Sequence, residues 1–181
     1  MNLTTEYLEE QRDVITRCEA GHKTWRKIPR VKQRHDILKA FCKGHTKILS
    51  VGSAGIEPIE LNTSHALDVD SLADGLLKAK GWTGEFKVGD CCNMPYETLS
   101  FDCAVCQEVI EHLPDLEDVK ATFQELKRVA FNWIITTPFT KNDEPTHKRV
   151  FNFNDFIRVT HGIKCRIEAK GGYWYVFYNR P

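Results

Sequence analysis

Acidic and histidine side chains that could do chemistry are concentrated in one short run of this sequence. Glu108, Glu111 and His112 lie close together, and His147 follows after a stretch rich in turn-forming residues. Carboxylate oxygens and imidazole nitrogens at this spacing could bind one divalent cation, and magnesium, manganese, iron and zinc are all compatible in ligand type. His112 or His147 could instead act as a general base. An ordinary helix start, in which His112 packs and Glu108 faces solvent, is the alternative.

The turn after the first apolar run is built from small residues. This run, ILSV, is followed directly by Gly52, Ser53, Ala54 and Gly55. Residues without bulk allow a ligand to approach the backbone closely, as in nucleotide-binding turns. Small residues also make ordinary strand-to-helix turns, so this turn by itself is weak evidence for a ligand.

Carboxylates follow the next two apolar runs, at the points where strands are predicted to end. Asp70 closes the run HALDVD and could accept hydrogen bonds from both hydroxyls of a ribose, with Asp68 as the alternative on the same face. Asp90 and the backbone N–H of Cys91 follow the third run and could bind the edge of adenine. Because the carboxyl ends of neighbouring parallel strands converge on one crevice, these groups predict a nucleoside site.

The elements that must position these groups fall into two regions. Before residue 45 the apolar spacing predicts two helices, and Pro29 suits the opening of the second. From residue 45 onward, short apolar runs alternate with helix-like stretches, which predicts a parallel, doubly wound sheet. The segment 116–130 is predicted to be a crossover helix. The runs IKCRIEA and YWYVFY, joined at Gly171-Gly172, predict a terminal antiparallel hairpin.

Length and charge limit the remaining possibilities. The 181 residues fit one domain, predicted over 1–181 with a helical cap at 1–44 and a core at 45–181. With 25 basic and 25 acidic residues the formal net charge is zero, so nucleic acid would have to bind a local patch such as the basic stretch 26–35. No segment reaches the ~20 apolar residues that span a bilayer, and the seven cysteines are scattered, so we expect a cytoplasmic protein with reduced thiols and no membrane partner.

From Ile48 to Pro138 the sequence resembles the class I S-adenosylmethionine-dependent methyltransferases. The motifs ILSVGSAG, ALDVD, GDCCNMPYE, FDCAVCQEVIEHLPD and ELKRVA occur in that family's order. The resemblance implies an α/β fold with a Rossmann-like, seven-stranded, mostly parallel sheet, helices on both faces and a C-terminal antiparallel hairpin. It also implies that S-adenosylmethionine is the cofactor and that a methyl group passes to an oxygen or nitrogen nucleophile.

The same resemblance implies a role for each residue of the cofactor motifs. Residues 52–55 would run alongside the methionine part of the cofactor, and Asp70 would hold its ribose. Asp90 and Cys91 would hold adenine, and Gln107 would lie beside the sulfonium.

The glutamate and histidine set resembles that of two subgroups, the small-RNA 3′-terminal 2′-O-methyltransferases and the ubiquinone-pathway O-methyltransferases. Both use a divalent ion to hold vicinal hydroxyls. The resemblance implies that Glu108, Glu111, His112 and His147 bind magnesium or manganese, and that the acceptor is a small molecule or an RNA. Because the chain has few inserted elements, a protein partner could supply specificity.

The sequence departs from the family pattern in three places. Ser50 stands where an acid is usual, Ala54 replaces the middle glycine, and the interval from Gly52 to Asp70 is slightly short. These departures predict weaker cofactor binding or a shortened first helix. Ser50 and Ala54 also favour an alternative function, a non-catalytic sensor or partner subunit that binds S-adenosylmethionine or its product. An NAD-dependent enzyme is a further alternative, but the turn lacks the GxGxxG spacing that seats a pyrophosphate.

Overall fold

A computed structural model describes residues 4–25, 27–53, 57–140 and 145–181. Two long helices precede the first strand, α1 (Thr5–Trp25) and α2 (Pro29–Cys42), and Pro29 lies in the first turn of α2 as predicted. None of the helices in this described part is both long and apolar enough to cross a membrane. The later helices are α3 (Glu57–Glu60), α4 (Leu72–Ala79), α5 (Leu116–Val129) and α6 (Phe153–Val159). The strands are β1 (Ile48–Val51), β2 (His65–Asp68), β3 (Glu85–Val88), β4 (Phe101–Gln107), β5 (Ala130–Pro138), β6 (Arg166–Lys170) and β7 (Tyr173–Asn179).

The strands of the described residues form one seven-stranded sheet with the order β3-β2-β1-β4-β5-β7-β6. Neighbours among β1 to β5 pair in parallel, whereas β7 pairs antiparallel with both β5 and β6. The chain reverses between β6 and β7 at Gly171-Gly172, where φ is 59° and 89°, the left-handed values that a tight hairpin turn requires. The predicted mostly parallel sheet with a C-terminal antiparallel hairpin is confirmed.

Helices cover both faces of the sheet. On one face Phe123 of α5 is fully buried, and its cluster includes Cys106 of β4. On the other face Leu38 of α2 is fully buried, and its cluster includes Cys103 of β4. Because side chains three positions apart in a strand point to opposite faces, the two clusters lie on either side of β4. The predicted helices on both faces are therefore present.

The strand ends that position the site lie side by side because β1 has β2 and β4 as its neighbours. Val51, the last residue of β1, pairs in register with Leu67 of β2 and Cys106 of β4. Asp68, the last residue of β2, pairs with Val88 of β3. The carboxyl ends of β1 to β4 therefore form one continuous edge, where ligands bind in doubly wound sheets.

Two local features near this edge bear on the sequence predictions. The regular helix start considered as an alternative for EVIEH is not formed, since Glu108 has φ of 54° and only Ile110–His112 makes a turn of 3₁₀ helix. A left-handed residue cannot continue a right-handed helix. The described part of α3, the helix after β1, is Glu57–Glu60; the shortened first helix stays a prediction, because residues 54–56 lie outside the described residues.

Candidate functional site

A cavity lies at the shared carboxyl edge of β1 to β4, where the nucleoside site was predicted. Helix α1 covers its other side with Tyr7, Gln11, Val14 and Ile15. The cap helix and four strand ends therefore enclose one space. On the sheet side its lining includes Gly52, Asp68, Gly89, Cys91, Glu108 and His112.

The turn after β1 depends on the absence of a side chain at Gly52. This residue has φ of 71°, and its N–H donates to the carbonyl oxygen of Leu67 at 2.9 Å. A Cβ at this position would overlap the side chain of Val109, which packs over the turn. Ser53 is fully buried and its hydroxyl donates to the carbonyl oxygen of Ser50 at 3.1 Å. Two further residues predicted to contact the cofactor, Ala54 and Gly55, lie outside the described residues.

The two acids at the end of β2 have different partners. Asp68 lines the cavity, and its Oδ1 accepts a hydrogen bond from the N–H of Asp70 at 3.2 Å. Asp70, the residue predicted to hold the ribose, is not among the described residues that line the cavity. Its Oδ2 accepts from Nε of Arg12 at 2.8 Å, and its Oδ1 accepts from the N–H of Leu72 at 2.9 Å. Asp70 thus joins α1 to the start of α4, and the geometry favours Asp68, the alternative, as the acid that meets a ligand.

The surroundings also separate these acids electrostatically. Burial raises the pKa of Asp68 to about 7, although backbone N–H groups, including that of Asp70, partly oppose the rise. The Arg12 side chain instead lowers the pKa of Asp70. Two hydroxyl donors from a ligand would stabilise the ionised form of Asp68, because hydrogen bonds to a carboxylate favour its charge.

The loop after β3 forms the end of the cavity where adenine was predicted. Cys91 lines the cavity, and Oδ1 of Asp90 accepts a hydrogen bond from the N–H of Cys92 at 2.8 Å. Tyr7 of α1 is buried at the same end, where burial, then Cys91 and Asp90, raise its pKa. Gln107, expected beside the sulfonium, donates from Nε2 to Oε1 of Glu57 at 3.1 Å.

Three of the four predicted metal ligands come together beside this cavity. The ligand atoms of Glu111, His112 and His147 all lie within 4.8 Å of one another. The two imidazole rings meet edge to face with their centroids 4.8 Å apart. The loop that carries His147 is held in place because the N–H of Lys148 donates to the carbonyl oxygen of Glu111 at 2.8 Å. His112 also lines the cavity, so the cluster adjoins it.

The Glu111 carboxylate shows whether this cluster suits a cation. The residue is fully buried, and neither carboxylate oxygen has a hydrogen bond of normal geometry within the described part of the chain. Burial raises the pKa of Glu111 well above its usual value, and the nearby Glu108 carboxylate raises it further. Nε2 of His147 is 4.0 Å from Oε1 of Glu111. A divalent cation could bind the Glu111 carboxylate together with both imidazoles, so the donor set fits one.

Glu108, the fourth predicted ligand, has a different partner. Its Oε2 lies 2.8 Å from Nη1 of Arg34 on α2. The Arg34 guanidinium also lies 4.5 Å from the centroid of the Tyr173 ring. Burial lowers the pKa of Arg34, but Glu108 and the other acidic neighbours outweigh burial and raise it overall. The structure therefore holds Glu108 in an ion pair and leaves it out of the cluster.

Comparison with known proteins agrees with this architecture. Residues 51–131 match the family model of a methyltransferase domain. Over 86 residues the chain is 42% identical to squalene methyltransferase 2 from Botryococcus braunii, an alignment that covers 46% of this chain and 23% of that protein. The chain thus spans less than a quarter of the length of this curated relative.

Solved structures extend the likeness over nearly the whole chain. The N-methyltransferase NodS from Bradyrhizobium japonicum, in complex with S-adenosylhomocysteine, has a TM-score of 0.69 at 17% identity and covers 95% of this chain and 99% of its own. A methyltransferase from Thermotoga maritima has a TM-score of 0.72 at 10% identity, with coverage of 93% and 99%. At these identities the likeness concerns the fold. Residues 51–131 therefore carry a methyltransferase domain, and the fold of the chain is that of S-adenosylmethionine-dependent methyltransferases.

Sequence reasoning missed Gln11, and it missed the partner of Arg34, in the site of this methyltransferase domain. Gln11 borders the cavity, and its Nε2 is buried without a hydrogen-bond partner in the described part of the chain. Nothing in the apolar spacing of α1 indicates which of its polar residues face a ligand. Arg34 did carry a signal, because it lies on the same helical stripe as Leu38 and Cys42, which are buried. A charged residue on an apolar stripe indicates a buried partner.

Proposed function

We propose that this chain transfers the methyl group of S-adenosylmethionine to a hydroxyl oxygen of its acceptor, with a divalent cation held beside the cofactor cavity. The observation that carries the proposal is the position of His112, which lines the cavity and also belongs to the Glu111–His112–His147 cluster. An acceptor bound at the cluster would lie next to the cofactor. Bringing two reactants together in this way is a large part of what a direct group transfer requires.

The cofactor half of the proposal rests on the cavity. S-adenosylmethionine, when bound, supplies a methyl group activated by a positively charged sulfur. Asp68 would accept hydrogen bonds from the ribose hydroxyls, and Asp90 and Cys91 would contact adenine. Nε2 of Gln11 can donate from the covering helix, while Gly52 leaves the backbone of the first turn without a side chain. The fold neighbour NodS was solved with S-adenosylhomocysteine, which supports this use of the sheet edge.

The cation half rests on the cluster and explains the choice of an oxygen acceptor. A divalent cation, when bound, would lower the pKa of a hydroxyl that it contacts, so that the hydroxyl proton passes to solvent while the oxygen takes the methyl group and S-adenosylhomocysteine leaves. Glu111, His112 and His147 would hold it, and two imidazole nitrogens suit manganese better than magnesium. A histidine that binds a cation is not available as a general base, so the two roles predicted for His112 and His147 exclude each other.

Calorimetric titration with S-adenosylhomocysteine tests the cofactor half. We expect Asp68→Asn to bind ~10- to 100-fold more weakly, because an amide replaces a charged acceptor of two hydrogen bonds. The control is Asp102→Asn at the opposite edge of the sheet, where Asp102 accepts hydrogen bonds from Thr46 and Lys47. This substitution should leave the affinity for S-adenosylhomocysteine unchanged.

The pH dependence of the same titration adds a second readout. Asp68 has a pKa of about 7, so wild-type affinity should weaken as the pH falls below neutrality and the carboxylate is protonated. The Asp68→Asn variant should not follow this change. Equal affinity of Asp68→Asn and the wild type would overturn the role of Asp68, and a wild type that binds no S-adenosylhomocysteine would overturn the cofactor site.

Turnover tests the transfer itself. We expect S-adenosylhomocysteine to form in the presence of Mn²⁺ from a hydroxyl acceptor within a panel of catechols, other vicinal diols and short RNAs. Chelation of the cation and Glu111→Gln should each reduce the rate at least ~100-fold, since both remove the cation site. Glu125→Gln, which loses a carboxylate paired with Arg128 at 2.7 Å, is the matched control and should stay active. Cofactor binding without turnover on any acceptor would instead support a sensor.

A further inference from the structure

A buried ion pair connects helix α2 to the loop that carries the proposed metal ligands. Nη1 of Arg34 lies 2.8 Å from Oε2 of Glu108, and the two side chains are only 10% and 25% exposed. Glu108 precedes Glu111 and His112 in the same loop, and Glu108 and His112 both line the cofactor cavity. The ion pair therefore lies where the cap, the cofactor cavity and the cluster meet.

The hydrogen bonds of this ion pair are incomplete. Nε of Arg34 and Oε1 of Glu108 are both buried and have no hydrogen-bond partner within the described part of the chain. Burying a charged group without full pairing is unfavourable. Glu108 thus keeps an unused acceptor oxygen that a cation could contact, and Arg34 keeps an unused donor.

The surroundings of both partners are compatible with their separation. The Arg34 guanidinium lies over the Tyr173 ring, 4.5 Å from its centroid, and this contact does not depend on Glu108. Glu108 has φ of 54°, an unfavourable value for a residue with a side chain, and its N–H donates to the carbonyl oxygen of Thr136 at 2.9 Å. Strained backbone of this kind is concentrated at ligand clamps and switch segments.

We propose that Arg34 is a positioning residue that competes with the divalent cation for the Glu108 carboxylate. Arg34 keeps Glu108 outside the Glu111–His112–His147 cluster, and Glu108 leaves Arg34 to become a fourth protein ligand when the cation binds. Cation loading is then coupled to the position of α2. The inference rests on the proposed function, because it requires a cation at the cluster.

A purely electrostatic effect of Arg34 has to be separated from this competition. Removing any positive charge near the cluster would favour a cation, whatever Glu108 does. Competition predicts more than this: removing Arg34 should increase the cation affinity only when the Glu108 carboxylate is present. A double-mutant cycle over the two residues distinguishes the two effects.

Binding of Mn²⁺ alone, followed by the electron paramagnetic resonance signal of the free ion, provides the test. We expect Arg34→Met to bind Mn²⁺ about tenfold more tightly than the wild type, and the double variant with Glu108→Gln to bind no more tightly than Glu108→Gln alone. Arg128→Met, which removes the guanidinium paired with Glu125, is the matched control and should bind as the wild type does. Arg34→Lys serves if Arg34→Met does not fold, and it should give a smaller gain with the same dependence on Glu108.

The outcomes separate failure of the inference from failure of the proposed function. Unchanged or weaker Mn²⁺ binding in the Arg34 variants would overturn the inference, as would a gain that persists in the presence of Glu108→Gln. If the wild type binds Mn²⁺ and Glu111→Gln abolishes that binding, the cation site stands whatever the Arg34 variants do. If neither the wild type nor any Arg34 variant binds Mn²⁺, the cation site fails and the inference fails with it.

Discussion

Gly52 occupies the point where the first strand turns beneath the cofactor cavity, and two separate constraints act on it. Its φ of 71° is unfavourable for any residue with a Cβ, and the space beside it is filled by Val109. Gly44, in the turn before β1, has φ of 88° but no atom near the position of a Cβ. The two glycines therefore share the backbone constraint and differ in the packing constraint.

Alanine substitutions at these glycines should separate the two constraints. We expect Gly44→Ala to lower the free energy of unfolding by about 1 kcal/mol from backbone strain. Gly52→Ala should lower it by a further ~1 to 3 kcal/mol, because the new methyl group overlaps Val109. Urea unfolding measures both values. Adding Val109→Ala to Gly52→Ala should recover part of the further loss, and equal losses at the two glycines would contradict the packing argument.

Helix α1 covers one side of the cofactor cavity, and it forms ion pairs with two different loops. Nε of Arg12 lies 2.8 Å from Oδ2 of Asp70 after β2, and Oε2 of Glu10 lies 2.7 Å from Nζ of Lys148 after β5. Tyr7, less than one turn before Glu10 in the same helix, is buried against the cavity. A ligand in the cavity would have α1 on one side, so we expect movement of α1 to ease its release.

Loosening α1 should therefore speed cofactor release. We expect Arg12→Met to raise the dissociation rate of S-adenosylhomocysteine about two- to fivefold, a modest effect because Arg12 is 64% exposed. High salt should raise the wild-type rate toward that of the variant, since it screens the same ion pair. A chase with radiolabelled ligand measures the rates. Arg17→Met, which removes a pair with Asp13 inside α1, is the control, and an equal effect there would contradict a role for Asp70.

In the molecule as a whole, Trp133 connects the sheet to helix α5 on one face and to the C-terminal hairpin. The side chain is fully buried on β5, its ring stacks on Tyr178 of β7 at 5.3 Å, and Phe123 of α5 meets it edge to face at 5.5 Å. Its Nε1 is buried without a hydrogen-bond partner in the described part of the chain. Packing of the ring therefore stabilises the core, whereas burial of the indole N–H without a partner lowers that stabilisation.

Two substitutions of Trp133 should differ widely for this reason. Trp133→Ala should lower the free energy of unfolding by about 3 to 5 kcal/mol, because it leaves a cavity between layers. Trp133→Phe keeps an aromatic ring and removes the unsatisfied N–H, so its net effect should stay within about 1.5 kcal/mol. Denaturant unfolding gives both values, and a Phe variant as unstable as the Ala variant would show that the indole N–H is satisfied after all.

The sequence by itself determined the order of the elements and the groups at the strand ends. Strand and helix periodicity depend on neighbouring residues, so the alternating runs after residue 45, the crossover helix and the hairpin at Gly171-Gly172 could be predicted and were confirmed. The clustering of Glu111 and His112 followed for the same reason, since they are adjacent in the chain.

Only the tertiary structure decided which of these groups line the cavity, because that choice depends on partners far away in sequence. Asp68 and Asp70 share a face, and Arg12 on α1 is what occupies Asp70 and leaves Asp68 at the cavity. Arg34 on α2 likewise holds Glu108 away from the cluster that the loop after β5 completes with His147. Side chains from the cap helices select among candidates that local spacing leaves equivalent. The apolar stripe of α2 indicates that Arg34 needs a buried partner, but it does not say which acid that partner is.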